Sequence, residues 1–454
     1  MSRFVVLDRG SEYLLPPSVE DWLPSNHLAR FVVDVVERLD LSEMVKAYAG
    51  RGKDAHHPAS LLGLLIYGYA TGVFHSRKIE RATYENLAFR YIAANTHPDH
   101  DTLAHFRARF APQISALFVQ VLLIAREMKL FKLGSIAVDG SKFKANASRH
   151  KALSWGHLQR IEAQLKAEVD ALMNKAVDAE SREVPDGLDL PAEIERRQAR
   201  LEALDKAGAE IKRRADERDG ALVAQYEAKK QQRQTRRDRG ERPGGREPKA
   251  PELGPRPSDQ VSLTDADARI MLGSGGAFEQ AYNGQLSVDT QSRLIVAAHI
   301  TQAANDKQQI EPTLTALAAL PEAIGAPEAL LADTGYFSGA NVLRCVEAGI
   351  TPLIALKRDS HHLSLRERFG AEPPKLTAEA SVDALTGMQH RLKTGAGKAL
   401  YALRKSTVEP AIGVIKHVMG FRQFNLRGLS KVNAEWSLVT LSCNIKRMNV
   451  LRLA

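Results

Sequence analysis

Over the first 133 residues, apolar side chains recur every three or four positions, which is the period of a helix with one buried face. Ser25 stands where it can cap the first predicted helix, while Pro58 can open the next helix and Gly72 can end it. Further helices are predicted over 76–92, 101–110 and 112–128. The segment is therefore expected to be all-α. Basic residues between its apolar ones suit either DNA phosphates or an ordinary solvated face.

At Gly134 the pattern changes to short apolar runs bounded by turn residues, which is typical of β-strands. The turn-like sequence DTQS at 289–292 joins two of these runs and predicts a hairpin. Helices are expected from Asn305-Asp306 to about Leu320 and over 340–348. The five predicted strands are 135–138, 282–288, 294–300, 329–332 and 350–356.

Residues 155–228 are rich in Ala, Glu, Lys and Arg, and two apolar seams in them have the spacing of a coiled coil. The turn-rich sequence VPDGLDLP at 184–191 separates the seams, so we expect an antiparallel helical hairpin. Nine Lys or Arg and three acidic residues follow in 229–249. Because that stretch cannot build a core, we expect it to be disordered or to become ordered on a polyanion.

Composition and charge add a class of partner. The 454 residues carry a net charge of +9 and are 44% hydrophobic, which suggests a globular protein with a polyanionic partner and more than one domain. Cys345 and Cys443 have apolar neighbours and no metal-ligand spacing, as expected of buried thiols in a reducing cytosol. No signal peptide is recognisable, and the apolar run 61–74 is too short for a membrane span. We expect a soluble, intracellular protein.

Two aspartates occupy the same local setting. Asp139 and Asp333 each follow a short apolar run and precede a small-residue turn. Strand ends in an α/β sheet are where ligands and catalytic groups are usually presented, although a lone aspartate there can equally be a turn or cap residue. Lys142 and Lys144 follow the first aspartate and suit a site that faces an anion.

A third carboxylate, Glu409, lies in the basic and apolar stretch YALRKSTVEPAIGVIK at 401–416. We predict a helix that starts at Ser406 or Thr407, because Pro410 is tolerated in a first turn and not in a helix interior. Glu409 would then lie at the positive end of the helix dipole. It would also share a face with Lys416, although a solvated Glu–Lys pair is the alternative.

If these three carboxylates converge, they point to a hard divalent cation such as Mg²⁺, because such ions take oxygen ligands. Two ions could serve an in-line phosphoryl displacement, and basic residues around them would hold a phosphate backbone. Asp289 and Asp306 are interpreted first as turn and cap residues, with an auxiliary site role as the alternative. The histidine pairs at 56–57 and 361–362 lack helical ligand spacing, and we interpret them as loop residues. Trp436 is expected to be core.

Several blocks of the sequence resemble one known family. They are AVDGSKFKANAS at 137–148, YNGQLSVDTQSRLIVAAHIT at 282–301, LLADTGYFSG at 330–339, and TVEPAIGVIK at 407–416 with GFRQFNLRG behind it. In this order they resemble the catalytic domain of DDE transposases of bacterial insertion sequences. The helical text over 22–109 resembles the N-terminal domain of the same group.

The resemblance implies roles for particular residues. The family's two aspartates and its glutamate fall on Asp139, Asp333 and Glu409, which would be catalytic and would bind two ions of Mg²⁺, with Mn²⁺ as the alternative. The family's Tyr, Arg, Glu, Lys signature, which implies DNA contacts, falls on Tyr401, Arg404, Glu409 and Lys416. Four residues instead of the usual three separate Arg404 from Glu409. Lys405 has the expected offset, so either base could contact DNA.

The resemblance also implies an α/β fold with a ribonuclease H-like five-stranded mixed sheet and helices on both faces. Three of its strands would be antiparallel and two parallel. The chain would divide into an all-α DNA-binding domain at 1–133 and a catalytic domain at 134–454. A helical hairpin and basic linker at 150–260 would interrupt the catalytic domain as an insertion.

The leading hypothesis is a transposase that binds the terminal inverted repeats of its own element, cuts DNA strands with Mg²⁺ and transfers the freed ends to target DNA. Its partners would be double-stranded DNA and further copies of the chain on paired ends, in a bacterial cytoplasm and at the nucleoid. Two alternatives stay open. One is a catalytically silent or domesticated copy that acts as a DNA-binding regulator, and the other is a nuclease of the same fold without strand transfer.

Overall fold

The computed structural model describes Ser18, Asp21 and residues 23–48, 55–148, 151–179, 190–242, 244–273, 276–356 and 383–454. Two compact units are present, Met1–Phe143 with Asn283–Ala454 and, separately, Lys144–Tyr282. Within the described ranges no single helix has the length and apolar character to cross a membrane. One bent pair, His100–Arg109 with Ala111–Glu127, meets that test by length and composition alone.

Helices make up the first part of the described chain. Their bounds are α1 Leu28–Glu37, α2 Ser42–Lys46, α3 Pro58–Thr71, α4 Ser76–Glu85, α5 Leu87–Ile92, α6 His100–Arg109 and α7 Ala111–Glu127. Helix α3 begins at Pro58 and ends at Gly72, which has a φ of 88°, as the sequence predicted. Helix α1 begins later than predicted, because His27 and not Ser25 caps it with Nδ1 on the Ala29 N–H.

Strands and helices alternate in the rest of the chain. In chain order the elements are β1 Ile136–Lys144, β2 Ala152–Ser154, α8 Trp155–Ala179, α9 Leu190–Asp238, β3 Gln260–Ser262, β4 Arg269–Leu272, β5 Phe278–Asp289, β6 Ile295–Thr301, α10 Ile310–Ala318, β7 Ala329–Ala332, a 3₁₀ turn Thr334–Tyr336, α11 Gly339–Glu347, β8 Thr351–Ile354, α12 Ala384–Arg391, α13 Gly395–Gly413, a π-helical turn Val414–Val418 and α14 Leu429–Leu453.

The sheet of the first unit has the strand order β6, β5, β1, β7, β8. Strands β5 and β6 are antiparallel and form the predicted hairpin, whereas β1 with β7 and β7 with β8 are parallel. Asp289 is buried at the hairpin turn, where its Oδ2 accepts hydrogen bonds from the backbone N–H groups of Gln291 and Ser292. Its predicted turn role is confirmed. The architecture is α/β with a mixed sheet.

The N-terminal helices and the C-terminal helix α14 share one core within the first unit. The Tyr69 hydroxyl of α3 donates a hydrogen bond of 2.9 Å to buried Glu435 of α14. Lys446 Nζ donates to the Ala70 carbonyl at 2.8 Å. Trp436 is 1% exposed, which confirms its predicted place in the core. Residues from the two ends of the chain therefore depend on each other for burial.

The second unit is built on the packing of α8 against α9. Leu158 and Leu165 of α8 meet Leu204 and Ile211 of α9 in one buried cluster, as the two apolar seams predicted. Strands β2 and β3 pair antiparallel, and β4 pairs with the part of β5 that lies in this unit. Helix α9 continues to Asp238, so the expected disorder is wrong for residues 229–238. Good helix formers such as Lys, Gln and Arg fill that stretch, which allows an exposed helix without a core.

Candidate active site

Strand register brings the two aspartates together. Strands β1 and β7 are parallel, with Ile136 opposite Leu330 and Ala137 opposite Leu331. Continued by two residues, this register puts Asp139 opposite Asp333 on neighbouring strands, which are about 4.8 Å apart in a sheet. Two side chains at paired positions project from the same face. The effect of the Asp333 charge on the pKa of Asp139 agrees with two carboxylates that lie close together.

The two aspartates differ in backbone setting. Asp333 directly follows β7, and its Oδ1 accepts a hydrogen bond of 2.8 Å from the Gly335 N–H of the 3₁₀ turn. Asp139 does not end its strand as predicted, because β1 continues to Lys144. It stands instead where β1 changes from fully buried to half-buried residues. The sequence after Asp139 is polar and small, and for this reason its strand character was not evident.

Negative charge is crowded around Asp139. Burial raises the pKa of this carboxyl to about 6, and the nearby charges of Asp333 and, to a smaller extent, Asp306 add to the rise. The guanidinium of Arg404 opposes it. Ionised Asp139 is therefore costly unless a cation lies close.

Arg404 connects two of the three predicted carboxylates. Its Nη1 lies 3.4 Å from Asp139 Oδ2, and its Nη2 lies 3.5 Å from Glu409 Oε1. The arginine side chain is 8% exposed and that of Glu409 is 54% exposed, so the carboxylate reaches the arginine from the solvent side. Burial opposes the charge of Arg404, but Tyr401 and the carboxylates leave its pKa raised. Lys405, the alternative base, is exposed on α13.

Helix α13 does not start where the sequence predicted. It begins after Thr394, whose hydroxyl accepts a hydrogen bond of 3.0 Å from the Gly397 N–H. The predicted start at Ser406 or Thr407 is wrong, because both hydroxyls donate back to the Leu403 carbonyl inside the helix. Glu409 is thus interior and not in a first turn. The Ala-rich run before it extends the helix past Pro410, which therefore lies in the helix interior. The π-helical turn follows.

Lys416 ties this helix to β1. Its Nζ donates to Ser141 Oγ at 2.6 Å and to the Lys142 carbonyl at 2.9 Å, and it lies 4.7 Å from the centre of the Phe143 ring. Burial lowers the pKa of Lys416 and also that of Lys142. Lys142 Nζ lies 3.9 Å from Asp306 Oδ1. Lys142 therefore lies on the strand that carries Asp139, and Lys416 contacts the same strand.

Sequence reasoning missed the polar side chains behind the carboxylates. Asp306 Oδ1 accepts hydrogen bonds of 2.7 Å from Asn283 Nδ2 and 2.6 Å from Gln285 Nε2. The Tyr336 hydroxyl donates to Gln285 Oε1 at 2.5 Å. A signal was available in the sequence. From Asn283 to the end of β5, every second residue is polar yet buried, namely Asn283, Gln285, Ser287 and Asp289.

Other predicted residues lie apart from these contacts. Lys144 belongs to the second unit, where its Nζ lies 2.9 Å from Glu279 Oε1. Tyr401 is half-buried on α13. His57 caps α3 by accepting a hydrogen bond from the Ala59 N–H, and the pair at 361–362 falls outside the described residues.

The donor chemistry of the site fits a divalent metal ion. Over the described ranges, no three His, Cys, Asp or Glu side chains are arranged so that they could hold an ion as they stand. The candidate ligands are nevertheless all oxygens, and burial together with the charge of Asp333 raises the pKa of Asp139. Asn283 Oδ1, a further oxygen beside Gly140, is buried without a hydrogen-bond partner in the described part of the chain. A hard cation would favour ionised Asp139 and would give the Asn283 oxygen a partner.

The fold and site together define an α/β protein with a group of acidic side chains that an arginine and two lysines border. Comparison with protein families assigns the class. Residues 17–109 match the Transposase domain (DUF772), and residues 371–449 match the Transposase DDE domain. Both matches support a DDE transposase of the insertion-sequence type, in agreement with the resemblance found in the sequence. A search of curated proteins and a search of solved structures each gave no match.

The two matched segments fall on different parts of the first unit. The match over 17–109 contains α1 to α6, and the match over 371–449 contains α12, α13 and most of α14. Arg404, Glu409 and Lys416 lie in the second match. A transposase of this family acts on DNA and generally uses divalent metal ions.

Proposed function

We propose that this transposase binds the terminal inverted repeats of its element, cuts DNA strands there and joins the freed ends to target DNA. One observation carries the proposal: Asp139 and Asp333 each follow by two residues the last paired positions of β1 and β7, Ala137 and Leu331, and Arg404 connects Asp139 to Glu409. These contacts support one site for three carboxylates that are remote in sequence.

The strand order supports a ribonuclease H-like catalytic domain. The order β6, β5, β1, β7, β8 is the one expected when a hairpin lies on one side of the first strand and two parallel strands lie on the other. We assign 134–454 to this domain and 150–260 to an insertion in it. Residues 1–133 are assigned to DNA binding, and helices are expected on both faces of the sheet.

Asp139, Asp333 and Glu409 would hold Mg²⁺, or Mn²⁺ in its place, as two ions. When bound, such ions activate the attacking oxygen and stabilise the leaving oxygen of a phosphodiester displacement. The amino groups of Lys142 and Lys416 would bind phosphate oxygens beside the scissile bond. Arg404 would orient Glu409 and Asp139, to which it is already connected.

Other cations and one aromatic ring are assigned to more distant DNA contacts. Lys405 is exposed on α13 and would bind phosphate on that side of the helix, whereas Lys144 would do so from the second unit. Tyr401 would stack on a base. Copies of the chain are expected to assemble on paired ends, so that two cleaved ends reach one target.

Two displacements at phosphorus account for the reaction. In the first, the oxygen of a water molecule bonds to phosphorus, the bond from phosphorus to the 3′ oxygen breaks, and a 3′-hydroxyl and a 5′-phosphate result. In the second, that 3′-hydroxyl oxygen bonds to a target phosphorus, and the target's own 3′ oxygen leaves. Each attacking oxygen releases one proton to solvent, and each leaving oxygen takes one up.

The test uses the full chain and a DNA fragment that carries the ends of its element, in Mg²⁺. Asp139→Asn, Asp333→Asn and Glu409→Gln should each lower the nicking rate by about a hundredfold or more, because removing one preorganised charge commonly costs that much. Gel shifts should show nearly unchanged binding to the ends. Glu311→Gln, on the exposed face of α10, is the matched control and should nick normally.

Each alternative has its own outcome in this assay. Normal cleavage by Asp139→Asn would remove Asp139 from the mechanism. End binding without metal-dependent cleavage by the unsubstituted chain would indicate a regulator. Cleavage without joining, tested with pre-cut ends and a target plasmid, would indicate a nuclease.

A further inference from the structure

Asp306 lies close enough to Asp139 for its charge to raise the pKa of that carboxyl, after burial and the charge of Asp333. A Cβ atom added to Gly335 would stand 3.0 Å from Asp333 Oδ1 and 3.8 Å from Asp306 Oδ2. A Cβ atom added to Gly140 would stand 2.5 Å from Asp306 Oδ1. Asp306 is therefore next to both glycines that follow, by one or two residues, the two predicted catalytic aspartates.

The side chain of Asp306 does not perform the cap role that the sequence suggested. Helix α10 begins after Gln309, and no side chain caps it. The connection to Gln309 is made by the Asp306 backbone carbonyl alone. A helix cap therefore does not explain why a carboxylate occupies this position.

Its two oxygens have different surroundings. Oδ1 accepts hydrogen bonds from Asn283 Nδ2 and Gln285 Nε2, and the lysine of β1, Lys142, lies 3.9 Å from the same oxygen. Oδ2 makes no hydrogen bond to the described residues and lies on the Asp333 side. The amides thus fix the carboxylate through one oxygen and leave the other for a ligand.

Asn283 provides an independent observation. Its side chain is 0% exposed, and its Oδ1 has no hydrogen-bond partner within the described chain. The amide cannot flip without loss, because Nδ2 donates to Asp306 Oδ1 and to the Ala303 carbonyl. The unpaired oxygen would lie 2.9 Å from a Cβ at Gly140, beside Asp139. A buried acceptor without a partner destabilises the fold unless a bound group interacts with it.

We propose that Asp306 is a fourth carboxylate of the divalent-cation site, with Oδ2 directed at the cation and with Asn283 and Gln285 as positioning residues. The proposal rests on the proposed function, since it needs that site to bind a metal. Hydrogen-bonded partners that orient a metal-binding carboxylate typically matter about tenfold to a hundredfold in metal affinity.

Asp306→Asn is the sharpest test. The new amide can keep its carbonyl oxygen where Oδ1 accepts from Asn283 and Gln285, and it replaces only Oδ2 by a group that repels a cation. Mn²⁺ binding to the full chain is measured by electron paramagnetic resonance, and the shift in melting temperature on adding Mn²⁺ is measured in parallel. Asp306→Asn should weaken Mn²⁺ binding at least about tenfold and remove most of the melting shift.

Three comparisons make the outcome decisive. Glu311→Gln removes an exposed charge from α10 and should bind Mn²⁺ as the unsubstituted chain does. Asp139→Asn reports on the proposed function itself: if the unsubstituted chain binds no Mn²⁺, or Asp139→Asn binds it unchanged, the proposed site fails. If Asp139→Asn loses binding and Asp306→Asn keeps it, only the present inference is overturned.

A structural role has a different signature. It predicts that Asp306→Asn lowers the melting temperature of the metal-free protein and leaves Mn²⁺ affinity intact, and that result would also overturn the inference. Should Asp306→Asn not fold, Asp306→Ser removes Oδ2 with a smaller side chain and should weaken Mn²⁺ binding to a similar extent. Circular dichroism of each metal-free variant verifies the fold.

Discussion

Asp139 bears an electrostatic cost that its neighbours impose, and Arg404 only partly offsets it. Burial and the charge of Asp333 raise the pKa of Asp139 to about 6, even though the guanidinium of Arg404 lies 3.4 Å away. A carboxyl whose pKa is raised on folding destabilises the folded state when it is ionised. The metal-free site is therefore under strain at neutral pH, and a bound cation would release it.

We predict that Asp139→Asn stabilises the metal-free protein at pH 8, by about 1–3 kcal/mol in the free energy of unfolding. The folded-state pKa of about 6 lies above the ordinary aspartate value of 3.8, so the cost is absent below pH 4, grows as pH rises towards 6, and is complete above it. Urea denaturation in EDTA at pH 4 and pH 8 measures this. A variant that is less stable at pH 8 would contradict the argument, and Glu311→Gln controls for loss of a surface charge.

The sequence allowed Asp139, Asp333 and Glu409 to be proposed because each has a recognisable neighbourhood along the chain. For Asp306 a turn or cap role came first and a site role was only the alternative, since the side chains that hold it are Asn283 and Gln285 on β5. No spacing predicts which loop residue a strand's amides will meet. The alternation of buried polar residues on β5 indicated that a polar partner existed, but not which one.

The element that carries the site glutamate is irregular. Helix α13 contains Pro410, which has no N–H to donate to the preceding turn, and the π-helical turn begins at Val414. Glu409 precedes the irregularity and Lys416 lies within it. The unusual helix therefore sets the relative direction of these two side chains, and π-turns are frequent at functional sites.

We predict that Pro410→Ala stabilises the fold and impairs the reaction. The exposed alanine restores a helical hydrogen bond and should increase the free energy of unfolding by about 1 kcal/mol or more. A regular helix in place of the π-helical turn should displace Glu409 relative to Lys416 and lower nicking by about tenfold or more, because small misplacements cost that much. Urea denaturation and the nicking assay on end-bearing DNA measure the two effects.

Gly413→Ala is the matched control for this variant. Nothing lies within 4 Å of a Cβ at Gly413, and alanine there adds helix propensity without supplying a missing N–H. It should stabilise the protein and leave nicking unchanged. Loss of nicking in both variants would show that helix stiffness, and not the proline, controls the activity.

Helix α9 shows why composition alone did not predict its last helical residues. Its last residues, 229–238, are so polar that we expected disorder, or order only on a polyanion, yet charged residues with good helix propensity continue the helix to Asp238. What the composition did predict correctly is the lack of a core there, since Lys229 and Lys230 are exposed. An exposed cationic helix suits a polyanion such as the DNA backbone.

We predict that Lys229→Gln with Lys230→Gln weakens DNA binding and reduces its dependence on salt. If both lysines bind phosphates, each substitution should reduce the slope of log affinity against log salt by about 0.9. Fluorescence anisotropy with duplex DNA over a range of salt measures the slope. Arg200→Gln with Lys206→Gln, exposed in the first half of α9, is the control and should leave the slope unchanged. Equal reductions in the two double variants would indicate a general charge effect.

At the scale of the whole molecule, the order of elements was predictable and their partners were not. The sequence indicated helices first and a sheet later, as the structure has them. It contained no sign that α3 packs on α14, because that contact joins residues such as Tyr69 and Glu435 from opposite ends of the chain. Long-range packing depends on shape and burial, which local periodicity does not encode.

The folding of each unit can be tested by removing parts of the chain. In the first unit, α14 buries its apolar face partly against the N-terminal helices, and Lys446 bonds to the Ala70 carbonyl. A chain that begins at residue 134 would expose that face, so we predict that it aggregates or shows no cooperative melting.

In the second unit, the Trp155 N–H donates to the Asp259 carbonyl at 2.8 Å, which places the two residues next to each other.

A short glycine linker can therefore replace residues 156–258 at little cost in loop entropy. We predict that this shortened chain keeps one cooperative melting transition and Mn²⁺ affinity close to that of the full chain, because Asp139, Asp333 and Glu409 all belong to the first unit. Differential scanning calorimetry and Mn²⁺ titration measure both. Loss of cooperative melting in the shortened chain would show that the first unit needs residues 156–258. Independent folding of the chain that begins at residue 134 would show that α14 does not need the N-terminal helices.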